Sequence, residues 1–168
     1  MSAIHEPVGL FANLRSAVVE RLATADAFAD PHAVPVVDGG GTAIHRAVAE
    51  ALTKRSAGMC LVVSVPRADP GPESPQQLRA TLAVQIYERP TLNWSHKGRQ
   101  IAIEDAAEAV FGALGFDGIT PGWSPSAVWT RFLFDGYRIV FASTDQVVME
   151  VLFNTSIIVR LADFPTDP

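Results

Sequence analysis

Leu78-Arg79-Ala80-Thr81-Leu82-Ala83-Val84-Gln85-Ile86-Tyr87 is the stretch on which the fold turns. Leu78, Ala80, Leu82, Val84 and Ile86 alternate with Arg79, Thr81, Ala83, Gln85 and Tyr87. A period of two sends one set of side chains to each face of a pleated strand, so the first set belongs to a core. The run is longer than the usual ~5–6 residues of a strand. Upstream, residues 59–65 (Met59-Cys60-Leu61-Val62-Val63-Ser64-Val65) are short, β-branched and nearly all apolar, which suits a strand covered on both sides. The two runs predict a hairpin, with residues 66–77, rich in proline, as the loop or irregular arm between them.

Upstream, Leu10, Leu14, Ala17, Val18 and Leu22 recur at helical spacing within residues 7–25, an amphipathic helix. Val34-Pro35-Val36-Val37 reads as a short strand whose proline favours a sheet edge. Asp38-Gly39-Gly40-Gly41 turns the chain into a second helix over 42–57, capped by Thr42, with Ile44, Val48, Ala51 and Leu52 on one face and Gly58 as its stop. A polar turn over 88–98 leads to a third helix over 101–114, with Glu104 and Asp105 in its first turn and Gly115 at its end. After a glycine- and proline-bearing loop, residues 130–142 and 147–161 predict two strands joined at Ser143-Thr144-Asp145-Gln146, with Asp135-Gly136 as a bulge or tight turn. Hairpins segregated among three helices predict an α+β fold, a mostly antiparallel sheet with about three helices packed on one face. The 168 residues form one domain, with no internal repeat or second-domain boundary.

Composition narrows the function. At 48% hydrophobic and 18% charged, the chain holds enough apolar side chain to build a core. The net charge of −5 and the lack of a basic stripe speak against a primary nucleic-acid binder. No run approaches the ~18 apolar residues of a membrane span, and residues 1–6 lack the features of a signal peptide. Cys60 stands alone in an apolar run and reads as a small hydrophobe suited to a reducing compartment, which points to synthesis in a cytoplasm.

The sequence carries no catalytic or metal-binding pattern. Gly39-Gly40-Gly41-Thr42 before a helix could offer N–H groups to a phosphate, but it has neither the Gly-Lys-Ser/Thr of a P-loop nor the spaced glycines of a dinucleotide fold. It reads as a connector, with Asp38 as a turn residue. His5, His32, His45 and His96 have no metal-ligand spacing. Ser64 lacks a nucleophile elbow, and Glu104 and Asp105 read as helix-start residues rather than an acid/base pair. The expectation is a protein without enzymatic activity, metal or cofactor. Large apolar residues near connections are more informative. Trp94, Trp123 and Trp129 are the candidate protein-interface residues, because tryptophan removes much area from water at little entropic cost. The competing reading is that each closes its loop onto the core.

Taken together, the helix of Leu10 to Leu22, the strand running into Ile86-Tyr87-Glu88-Arg89-Pro90-Thr91-Leu92-Asn93, the helix around Ile103 to Val110 and the closing Val151-Leu152-Phe153-Asn154-Thr155 strand resemble the tail terminator, or tail-completion, proteins of long-tailed bacteriophages and prophages. Proteins of that family often carry a Glu-x-Pro-x-x-Asn step before the third helix, here Glu88, Pro90 and Asn93. An arginine often follows that asparagine, whereas here Trp94 does. The resemblance implies a virion structural protein of the tail, assembled as a ring of its own copies, sixfold, on the last ring of the tail tube protein. It implies that the ring stops tube growth and presents a surface to the head-tail connector protein, while DNA passes through without sequence-specific binding. Alternatives are another head-tail connector or baseplate subunit, or a small-molecule-binding protein or undetected enzyme with its pocket between sheet and helices.

Overall fold

The computed structural model describes residues 9–29, 33–41, 43–55, 58–74, 76–115 and 129–158. Its elements are α1 (Leu10–Ala23), β1 (Val36–Asp38), α2 (Ile44–Glu50) running into a π-helical turn (Ala51–Arg55), β2 (Met59–Pro70), β3 (Gln77–Glu88), α3 (Pro90–Asn93), α4 (Ile103–Leu114), β4 (Leu133–Ala142) and β5 (Val147–Ile158). The strands form one five-stranded sheet in the order β1-β2-β3-β5-β4. The fold is α+β, as the alternating run predicts.

β3 is the axis of the sheet. It pairs antiparallel with β2 as a hairpin and, without a register shift, with β5 from Gln77↔Ile158 to Glu88↔Val147. Its alternation works as read: Ala80, Leu82, Val84 and Ile86 lie fully inside the main core beside Met59, Leu61 and Val63 of β2 and Met149, Val151, Phe153 and Ile157 of β5. α1 covers this face with Leu10, Leu14, Val18 and Leu22, a stripe repeating every fourth residue, and α4 with Ile103, Ala106, Ala107, Val110 and Leu114.

The sheet departs from pure antiparallel pairing at β1, which runs parallel to β2 in the register Val36↔Leu61. Parallel neighbours need a crossover, and α2 supplies it. This corrects the expectation that all the helices pack on one face. Val48, Ala51 and Leu52 of α2 and its π-helical turn pack on Cys60 and Val62, the β2 side chains that point away from the main core. The crossover must lie over one face of the sheet, and its handedness, not the helix's own apolar stripe, selects which. The near-continuous apolar run of 59–63 follows, because this part of β2 is covered by helices on both faces.

Three local readings also change. The proline-rich arm is strand as far as Pro70: β2 continues past Pro66 because the β2–β3 register shifts between Ser64 and Arg67, and a bulge tolerates a residue with no N–H to donate. The polar turn contains α3, with Pro90 in its first turn, where a missing N–H costs nothing. The second helix begins at Ile44 with Ala43 in the N-cap position, and Thr42 lies outside the described residues. Asp135-Gly136 is a bulge, since the β4–β5 register shifts between Phe134 and Gly136, and Gly136 sits at φ 121°. Gly58, just before β2, sits at φ 91°, where a Cβ would run into the backbone nitrogen of Asn93.

Candidate interaction surface

β4 is an edge strand bonded to β5 on one side only. Leu133, Phe134, Tyr137, Ile139, Val140 and Phe141 are each 43–60% exposed. Register assigns them to both faces of the sheet. Phe134, Tyr137 and Ile139 stand opposite the core residues Phe153, Val151 and Met149, whereas Leu133 and Phe141 stand opposite Asn154 and Val148, on the face of Tyr87. On the main-core side the helical layer stops at α4, whose Glu104, Ala107, Glu108 and Phe111 form the wall of a groove floored by Phe134, Tyr137 and Val151. Phe111 and Phe134 meet edge to face across it, 5.2 Å between ring centroids, and Phe134 in turn meets Phe153 at 5.9 Å.

The other face carries a polar ladder across three strands. The Tyr87 hydroxyl donates to Gln85 Oε1 (3.1 Å), Gln85 Nε2 donates to Glu150 Oε2 (3.2 Å), and the Arg138 guanidinium grips Glu150 Oε1 through Nε (3.1 Å) and Nη2 (2.9 Å). Glu150 is buried and its charge is matched by Arg138. Burial, with smaller contributions from Cys60 and Glu150, raises the pKa of the Tyr87 phenol above its ordinary value. Beside this ladder a cleft of about 510 Å³ opens between α2 and the sheet, with His45, Tyr87, Arg89 and Asp145 among its lining residues.

The three sequence-selected tryptophans part company. Trp129 is fully buried in the main core, its ring 6.2 Å from that of Phe11, so it is a core residue and not an interface residue. Trp129, just before β4, packs against Phe11 of α1, which sequence spacing does not reveal. Trp94 is 56% exposed, and its indole N–H donates to Glu88 Oε1 at 3.1 Å. Trp123 lies outside the described residues.

The Glu-x-Pro-x-x-Asn step forms a closed corner. Asn93, fully buried, donates through Nδ2 to Glu88 Oε1 (2.7 Å) and to the Ile101 carbonyl (2.8 Å), tying the end of β3 to the approach of α4. The glycine run before α2 is tied to α1: Asp38 Oδ1 accepts from the Gly40 N–H (2.8 Å) and from Arg15 Nε (2.6 Å). Burial pushes the Cys60 thiol up to about 12, which leaves it protonated and unreactive near neutrality. Among the described residues, no group of three or more His, Cys, Asp or Glu side chains could hold a metal ion, and no helix is long and apolar enough to cross a membrane.

No family model matches the chain, and neither does any curated protein. Among solved structures, one that matches superposes with a TM-score of 0.54 over 88% of this chain and 95% of the other, at 14% identity. At that identity the likeness establishes a shared fold and nothing further.

Proposed function

We propose that this protein is a virion structural subunit of the tail-terminator type. It assembles as a ring of its own copies, six by resemblance, on the end of a phage tail tube, stops tube growth and offers its outer surface to the head-tail connector. The observation that carries the reading is β4: six large apolar side chains about half exposed on a single edge strand form a protein-contact surface. The Glu88–Pro90–Asn93 corner supports it as well, because Glu88 and Asn93, two of the residues that carry the family resemblance, are buried and hydrogen-bonded to each other, with Pro90 in the first turn of α3 between them. In this role the protein performs no catalysis and needs no cofactor. A net charge of −5 suits a passage that DNA crosses without being gripped.

Deleting the gene from its phage or prophage and imaging the particles tests the reading. Tubes of uncontrolled length, lacking heads and restored by the gene in trans, are the expected result. Immunogold label at the head-proximal tip of normal tails separates a terminator from a baseplate subunit. Tails of correct length without the protein, or its absence from purified tails, overturn the reading.

A further inference from the structure

The apolar pattern of β4 is that of a strand covered on both faces, like 59–63 of β2, yet among the described residues its cover is partial: Phe111 of α4 meets Phe134, and the six large apolar side chains stay 43–60% exposed. α1 and α4 roof one face of the sheet only as far as the groove beside Phe134 and Tyr137. α2 and its π-helical turn roof β1, β2 and Tyr87 on the other face, leaving Leu133 and Phe141 bare.

We infer that a second copy of this chain covers β4 on both faces, through side-chain packing rather than strand addition. Area is the first reason. Six side chains of roughly 150–200 Å² each, half exposed, present ~500–600 Å² of apolar surface summed over the two faces, most of the ~800 Å² per partner of a stable interface. The chemistry of the strand is the second. Contacts between permanent partners are more apolar than transient ones, and six large apolar residues among ten match the former. Two copies at −5 each repel at long range, so their association must draw on apolar area. The geometry of the edge is the third. Register shifts between Phe134 and Gly136 and between Ile139 and Phe141 break the line of outward N–H and C=O groups, a device that blocks open-ended strand pairing. The contact therefore uses the α4–β4 groove and the faces of β4, and assembly can stop at a closed number of copies. This deepens the ring reading, on which it rests for the closure of the assembly, by naming the surface where neighbouring copies meet.

The test is sedimentation of the full chain through the micromolar range, comparing wild type with Tyr137→Lys/Ile139→Lys and with Leu92→Ser, an exposed apolar change outside β4. Circular dichroism and melting temperature are read alongside. The expected result is a wild type and L92S that sediment as the same oligomer, and a doubly substituted β4 variant that is folded and at least tenfold weaker in association. If the double variant loses its dichroism, Ile139→Thr must show the same direction of mass shift. An oligomer unchanged by the β4 substitutions overturns the inference, as association then uses another surface. A wild type that stays monomeric also overturns it, and a melting temperature lowered by the same substitutions then assigns the cover of β4 to residues of the same chain. These outcomes are separate from the tail-length assay: a β4-mediated oligomer whose loss leaves tails normal keeps this inference and removes the terminator function, and a monomer whose loss gives overlong tails does the reverse.

Discussion

Trp129 shows at the scale of one residue how a surface expectation becomes a core fact. Its ring is wholly buried against Phe11, so Trp129→Ala opens a cavity and is expected to destabilise the fold by ~3–5 kcal/mol, seen as a lower urea midpoint. Val84 and Gln85, adjacent in β3, face opposite ways. Val84→Asp places an unpaired charge in the main core and is expected to remove several kcal/mol of a typical ~5–15 kcal/mol, whereas Gln85→Asp, beside Glu150 on the half-open face, is expected to cost ~1 kcal/mol. Equal denaturation midpoints for the two would mean the strand faces were assigned wrongly. Cys60 gives a pH dependence with a definite sign. Its thiol is held up to about 12 in the fold, above its value in the unfolded chain, so the native state keeps a proton that the unfolded state loses as the solution turns alkaline. Its contribution is fully present below the unfolded thiol's pKa and is lost as pH rises towards 12, at up to ~1.4 kcal/mol per pH unit. Cys60→Ala is expected to flatten the alkaline limb of a stability-versus-pH curve measured by urea titration.

At the scale of elements, β4 is defined by its interruptions. Gly136 holds φ 121° inside the first bulge with open space where a Cβ would stand, so substitution is resisted by the backbone and not by a clash. Gly136→Val is expected to cost ~1–3 kcal/mol through backbone strain, and by straightening the bulge to make the edge stickier. Light scattering on heating, greater for the variant than for wild type, reads this. The corner after β3 has the opposite character. Asn93→Ala leaves buried Glu88 with one donor, the indole of Trp94, and is expected to cost ~1–3 kcal/mol by the same urea measurement.

For the molecule as a whole, the two apolar clusters share β2, whose alternate side chains enter one or the other. Neither layer can leave the sheet without exposing that strand, so urea unfolding is expected to follow a single transition by fluorescence and by far-UV dichroism. Labelling of the Cys60 thiol is expected to track that same transition. A labelling rate insensitive to core-destabilising substitutions would reveal local opening of the α2 layer instead.

Local periodicity determined what depends on neighbours along the chain. The alternation of 78–87, the helical stripes of α1 and α4 and the doubly covered run of 59–63 each encode an element and the number of its buried faces, because side-chain direction follows directly from backbone repeat. The β2–β3 hairpin was legible for the same reason, whereas Asp135-Gly136 was open between a bulge and a tight turn until the β4–β5 register made it a bulge. The tertiary structure alone decided where those faces find their partners. The parallel β1–α2–β2 crossover carried one helix to the far side of the sheet, and the path before β4 buried Trp129. In β4 six large apolar side chains stayed about half exposed among the described residues. Sequence pattern states that a side chain must leave water, and only the three-dimensional path of the chain determines whether its own residues supply the cover.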